Sequence, residues 1–332
     1  MKSQTKFNMC SEVLVEISRG EQDWTEVREC LVRAFHHYSL YKYLIPNEQT
    51  RPEFLRRYLE AIYDVTIRKG NSILLVGRLS ENNTIIGGVM VVPPSKEYGG
   101  WECEKADDFY EAYEKYKLRD IDLEAFERME KYEEWEYENI SKHVCSTKVP
   151  LWNGIFCAVD PKYSGKGCGS MSYNECLKII KNIQESNKKK QLQIKHEENT
   201  EIKSRKLIKR LTDSENSPML FMISHSKRAV RFHLKNGFQS VADIPYYDEN
   251  TSTDQDNSQF NATVLMMDPL NADRIAEFRK KMNFPTKRTN NIETGLQMTH
   301  ISVTAESHLI HNSSITSIIN MYGRLKITRN RG

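Results

Sequence analysis

The residues from Ile155 to Ser170, Ile-Phe-Cys-Ala-Val-Asp-Pro-Lys-Tyr-Ser-Gly-Lys-Gly-Cys-Gly-Ser, carry the clearest chemistry in the chain. They read as a buried strand, a turn begun by Asp160-Pro161, a glycine-rich loop and then a helix. Gly165, Gly167 and Gly169 alternate along the loop. Glycine there removes side chains where backbone N–H groups converge. Ser170 is expected to cap the following helix, whose positive dipole end then faces whatever the loop holds. Such a loop is an anion site, most often one for phosphate.

Spacing chooses among phosphate loops. A Walker loop needs Gly at position 160 and Ser or Thr at 167, where this chain has Asp160 and Gly167. The dinucleotide fingerprint ends on Gly, but counting from Gly165 gives Ser170 and from Gly167 gives Ser172. Both readings fail, and the short form Gly165-Lys166-Gly167-Cys168-Gly169 remains. Downstream, Pro218 to Ser224 reads as a second buried strand, and Ser226 to Asn236 as a helix closed by Gly237. Ala229, Val230, Phe232 and His233 share one face of that helix.

Together these two strand–helix pairs resemble motifs A and B of the GNAT-type N-acetyltransferases, over roughly residues 12–268. The resemblance implies a central mixed, mostly antiparallel α/β sheet of six to seven strands, splayed in the middle and flanked by helices. It implies acetyl-CoA as cosubstrate. Cys157, Ala158 and Val159 would meet the pantetheine arm, and Ser164, Gly165, Lys166, Gly167, Cys168, Gly169 and Ser170 the pyrophosphate. Ser226 stands where the family usually has Asn, Ser164 where it has Arg or Gln, and His233 where it has Tyr. In many family members that Tyr protonates the departing thiolate; an imidazolium at His233 would serve the same step. The alternative is a helix histidine packed in the core.

Earlier in the chain, Glu12 to Ile17 alternates as a first strand. Asp23 or Thr25 is the expected cap of a helix running to Ala34, and a second helix spans Arg51 to Arg68. Asn71 to Arg78 and Thr84 to Val92 form a hairpin turning at Glu81-Asn82-Asn83. This order is similar to the start of a GNAT domain. The stretch Ala34 to Pro46 followed by Arg51, with Pro93-Pro94 and Trp101, resembles the puromycin-acetyltransferase-like branch, which leans towards a small acceptor.

Two insertions enlarge the domain. Residues 102–143 are rich in acids and aromatics and read as two helices around Arg119-Asp120. Their stripes Phe109, Tyr113, Tyr116 and Phe126, Met129, Tyr132, Trp135 are packing surface. Glu130, Glu133, Glu134, Glu136 and Glu138 are read as a solvated face, with attraction of a cationic amine or basic peptide as the alternative. Residues 186–217 form a basic, polar excursion, and Asp248 to Ser258 a polar loop before a closing strand at Ala262 to Met267. Residues 269–332 comprise one helix through Ile275, Phe278 and Met282 and a loosely ordered tail, to which no function is assigned.

Composition narrows the partners. A net charge of +3 does not argue for nucleic acid, and no window of 18 apolar residues suggests a membrane span. The seven cysteines are scattered without a Cys-x-x-Cys pair, so neither a zinc site nor a disulfide scaffold is expected. His300, His308 and His311 lack ligand partners at a set spacing, and no metal is expected. Cytoplasmic residence follows by default. Cys157 and Cys168 are read as small packing residues and not as acyl carriers. The expected reaction is direct attack of an amine on acetyl-CoA, with positioning as the main source of rate and a small molecule as the first-choice acceptor. A protein or peptide acceptor, or a catalytically silent acyl-CoA binder, are the rivals. The general base is either a glutamate of the acidic insertion or a string of waters.

Overall fold

The computed structural model describes residues 13–68, 72–92, 106–147, 149, 151–179, 181–182, 219–247, 260–268 and 273–282. Its strands are β1 (Val13–Ile17), β2 (Ile73–Leu79), β3 (Ile85–Val92), β4 (Leu151–Val159), β5 (Met219–Ser224), β6 (Gln239–Tyr246) and β7 (Phe260–Met267). They form one sheet in the order β1-β2-β3-β4-β5-β7-β6. Every neighbouring pair is antiparallel except β4 with β5. This is the mixed, mostly antiparallel sheet that the GNAT resemblance implies. β2 and β3 form the expected hairpin, with Asn83 in the left-handed region at φ 58°. All of β3 is buried, which explains its unbroken apolar run.

Helices cover both faces. On one lie α1 (Glu21–Phe35), α2 (Ser39–Leu44), α3 (Arg51–Tyr63), α4 (Ala106–Lys115), α5 (Leu118–Ile121) and α6 (Leu123–Glu136). Trp24, Leu31, Phe54, Leu55 and Phe126 pack there against Leu74, Val76, Met90 and Phe156. The alternate residues Leu75, Val89 and Val91 face the other side, where Tyr173 and Cys176 of α8 (168–179) join them. Also on that side is α9 (Lys227–Lys235), whose Val230 and Phe232 pack on the same cluster. A short α7 (Lys142–Ser146) precedes β4, and α10 (Asp273–Lys281) buries Ile275 and Phe278 beside Val241 and Ile244.

Several local expectations shift. α1 begins at Glu21, and Asp23 is not its cap. Its carboxylate instead accepts the Arg19 N–H at 2.8 Å and pairs with the buried Arg78, reaching back across the helix start. α3 runs into one wider turn at Asp64–Arg68, completing the span expected to Arg68. The aromatic stripes of the acidic insertion do pack: Tyr113, Phe126, Met129 and Tyr132 are buried, and Phe109, Tyr116 and Trp135 lean on the same core. The basic excursion at 186–217, the loop at 248–258, Pro93-Pro94, Trp101 and the tail with its three histidines lie outside the described residues.

Arg51 holds this helical layer in register. Its side chain is 1% exposed. Nε donates to Ile45 O at 2.6 Å, Nη1 to His36 O at 2.9 Å and Nη2 to Pro46 O at 3.0 Å. A buried guanidinium with three carbonyl partners is satisfied, and it fixes the segment carrying Tyr38 and Tyr41.

Candidate active site

A fork in the sheet defines the site. β4 and β5 pair only through Leu151–Met219, Trp152–Leu220 and Asn153–Phe221. Beyond that point β4 continues against β3 to Val159, and β5 continues against β7 to Ser224. The two parallel strands therefore separate towards their C-terminal ends, leaving facing edges without each other's hydrogen bonds. Gly154 sits where they part, and a Cβ there would come within 2.9 Å of the Met222 Cε and 3.4 Å of the Phe221 carbonyl oxygen. Next comes a bulge: Val91 faces Gly154 and Met90 faces Phe156, so Ile155 is the extra residue. Ile155 is 37% exposed in the middle of a seven-stranded sheet. Cys157, Ala158 and Val159, the residues expected to meet a pantetheine arm, are half-buried along the same open edge.

At the mouth of the fork, β4 runs into the glycine loop. Asp160 is buried; its carboxylate accepts the Lys162 N–H at 3.0 Å and the Arg33 Nε–H at 2.8 Å, and its own N–H donates to Ile86 O at 2.7 Å. That knot sets the direction in which Ser164 to Gly169 leave the sheet. Gly165 and Gly167 have φ of 76° and 85°, the region that favours glycine, and a Cβ on either would meet nothing within 4 Å. The loop is thus shaped by backbone conformation, with open space beside it.

The helix start differs from the expected one. α8 begins at Cys168, and Gly167 O accepts the Met171 N–H at 3.1 Å, so Gly167 holds the cap position and Ser170 lies inside the first turn. The first N–H groups of a helix have no partner within it, and here they begin directly at the loop. Cys168 is also more than a packing residue. It is disulfide-bonded.

From the β5 side, Ser226 caps α9 by accepting the Ala229 N–H at 3.1 Å. Gly237 closes the helix at φ 94°, as its sequence implies. Arg228, in the first turn of α9, donates through Nη2 to Ser164 Oγ, spanning the mouth of the fork. It places a cation at the loop from outside the glycine motif. Lys166 lies over the Tyr163 ring at 5.7 Å.

His233 is 6% exposed and ringed by Tyr173, Phe232 and Phe238 at centroid distances of 5.7, 5.3 and 5.5 Å. Burial pulls its pKa down to about 4. The ring is therefore neutral near pH 7, not the imidazolium considered from the sequence. Its Nδ1 has no hydrogen-bond partner, and neither has the neighbouring Tyr173 hydroxyl. Cys157, in contrast, is inert: burial pushes its thiol up to about 12, far from a thiolate nucleophile.

No family model matches the chain, and no curated protein matches it. Acetyltransferases are among the solved structures similar to it. One is a Corynebacterium glutamicum protein described as histone acetyltransferase HPA2 and related acetyltransferase: 16% identical, TM-score 0.39, with 79% of this chain covering 97% of that one. Another is the C-terminal condensation domain of Ebony in complex with beta-alanyl-dopamine, 12% identical, TM-score 0.40, with coverage of 77% and 98%. A third is a mosquito arylalkylamine N-acetyltransferase like 5b, 16% identical, TM-score 0.36, with coverage of 76% and 99%.

A second cluster, of rings and acids, adjoins the fork on the α2–α6 side. A relay of rings leads into it from β4: Phe156 to Phe35 at 6.4 Å, Phe35 to Tyr41 at 5.1 Å, Tyr41 to Tyr58 at 6.1 Å and Tyr58 to Tyr113 at 6.0 Å. The Tyr113 hydroxyl donates to Glu133 Oε1 at 2.9 Å. Tyr132 donates to Glu136 Oε2 at 2.6 Å and lies 2.6 Å from His225 Nε2. His225 directly follows Ser224, the last residue of β5, and its backbone N–H donates to Tyr38 Oη at 2.7 Å. The acidic face expected to be solvated is therefore divided. Glu134 and Glu138 are exposed and Glu130 pairs with Arg119, but Glu133 and Glu136 point inward. Burial raises Glu133 to about 8 and raises Glu136, while it pulls His225 down to about 3. Among the described residues no group of three side chains is arranged to hold a metal ion, and no helix is long and apolar enough to cross a membrane.

Proposed function

We propose that the protein is an acetyl-CoA-dependent N-acetyltransferase acting on an amine by direct attack, with a small molecule as acceptor. One observation carries this reading: a parallel strand pair that separates towards its C-terminal ends and opens onto a glycine loop at a helix start. Open α/β sheets bind ligands at such ends. The free edge of β4 from Ile155 to Val159 offers an extended ligand backbone-type hydrogen bonds, as a missing strand would. The loop supplies N–H groups to a pyrophosphate, with Ser164, Gly165, Lys166, Gly167, Cys168, Gly169 and Ser170 around it. Arg228 adds charge, exchanging Ser164 for phosphate oxygen. Ser226 contributes by fixing the start of α9.

The thioester carbonyl then lies beside the bulge at Ile155, where a backbone N–H can receive the developing oxyanion. The amine nitrogen forms its bond to that carbon, and the carbon–sulfur bond breaks. His233 meets the leaving sulfur. A thiolate forming beside the ring raises its pKa and makes protonation of the imidazole favourable, so the residue would shuttle a proton at the moment of departure. The inward-facing Glu133 and Glu136, buried among the tyrosine rings beside β4, support a small acceptor over a protein surface. Release of free coenzyme A thiol with a panel of primary amines tests the proposal. Turnover on at least one of them is expected, with a slower rate in His233→Phe. Binding of acetyl-CoA without thiol release on any amine or basic peptide would leave only a binding module.

A further inference from the structure

The cluster of Tyr38, Tyr58, Tyr113, Glu133, Glu136 and His225 has a composition that the glycine loop does not explain. Two carboxylates sit deep among rings, where an unpaired anion is costly. Tyr113 satisfies one oxygen of Glu133 and Tyr132 one oxygen of Glu136. No cation pairs with either carboxylate among the described residues: the ion pairs of α6 are made by Glu124 and Glu130 instead. Glu133 and Glu136 both retain partial accessibility although protein surrounds them, as groups lining a hollow do.

We infer that this cluster lines an acceptor chamber, and that the chamber takes a primary ammonium carried on a flat apolar body. Glu133 and Glu136 receive the charge, the tyrosine rings the body, and Tyr132 with His225 links the carboxylates to the end of β5. This rests on the N-acetyltransferase reading for its chemistry, but the pocket is defined by its own residues. Cations are favoured over aromatic faces and beside carboxylates in a water-poor space. An anionic analogue of the same shape would face two carboxyl groups and is rejected.

The proton balance follows. Of the three ammonium protons, one stays on the amide nitrogen, one ends on the departing sulfur, and one passes to a Glu133 or Glu136 carboxylate and on to solvent. Tyr132 lies between His225 Nε2 and Glu136, so a proton can move along that line without a large displacement. The groups facing Glu133 are Tyr113 of α4, Tyr58 of α3, Tyr41 of α2 and the α6 acids Glu130 and Glu136. None is cationic. An incoming ammonium is thus the partner that lets the carboxyl ionise, and binding at pH 7 should expel a proton.

Calorimetry on the full chain with 2-phenylethylamine, in two buffers of different ionisation enthalpy, tests this without coenzyme. Binding with net proton release is expected. Glu133→Gln with Glu136→Gln should abolish the release and weaken binding by at least about tenfold, the scale of a lost charge-assisted contact. 3-Phenylpropionate should not compete. The far-ultraviolet circular dichroism spectrum of the double variant should match that of the wild type. Failure of the wild type to bind the amine would overturn the inference, as would equal binding by the double variant or by the acid. Acetyl-CoA titrated into the same preparation reports separately: its failure to bind would sink the transferase reading and leave the amine pocket standing.

Discussion

Glu133 and Arg228 show how one side chain's surroundings set a measurable property. Glu133 has its pKa raised from 4.5 to about 8 by burial, opposed by the Tyr113 hydrogen bond. The folded state therefore holds a proton that the unfolded chain releases, and the resulting stabilisation is present at low pH and lost as pH rises through the folded value. Replacing the acid by Gln removes that loss. Glu133→Gln should melt progressively higher than the wild type as pH climbs from about 4.5 to 8, with the gap levelling off above; a gap independent of pH would show that the carboxyl is not buried as described. Arg228 acts outward. Arg228→Ala should weaken acetyl-CoA by roughly tenfold, as expected for one charge-assisted phosphate contact, and unchanged affinity in calorimetry would remove it from the site. Neither role was written in the sequence. Five glutamates crowd residues 130–138, and only the spacing of 132, 133 and 136 on the face continuing from Phe126 and Met129 marks the inward pair. His225 gave no signal, because its partners come from α2 and α6, distant in the chain.

At the scale of elements, the strand–loop–helix pairs were legible because each carries its own punctuation: Asp160-Pro161 and the glycines for one, Ser226 and Gly237 for the other. The start of α8 was misread for a local reason. Serine is a good cap, but positive φ at Gly167 ends the loop sooner, and the helix begins three residues ahead of the expected signal's reach. The fork depends on close approach at Gly154. Gly154→Val should push β4 from Met222 and cost about 1–3 kcal/mol of stability by overpacking, read by denaturant unfolding. It should also impair acetyl-CoA binding beyond that stability loss, since the fork geometry moves. Wild-type stability and affinity in this variant would contradict the described separation point.

For the whole molecule, the hairpin and the closing strand are marked by apolar runs and turn residues, but β6 and its place at the sheet edge beyond β7 carried no expectation and come from long-range pairing. The acidic insertion illustrates this. Its aromatic stripes announce burial, but the sequence does not say against what; the fold wraps them over α2 and α3 beside the open end of β4. One surface then serves as core and as wall of the inferred acceptor chamber. Arg51 extends the same logic by tying the α2 segment to three carbonyls, so that the ring relay keeps its line from Phe156 to Tyr113.

The central claim is that backbone amides around Gly167 hold the pyrophosphate of acetyl-CoA at the mouth of the fork. Isothermal titration of acetyl-CoA into the wild type and into Gly167→Asp tests it most directly. An aspartate would have to adopt φ near 85° and would bring a negative charge to the anion site. The account predicts micromolar-range binding by the wild type and a loss of at least about 100-fold in the variant, with the fold retained. Equal affinity of the two proteins, or no binding by the wild type, would contradict it.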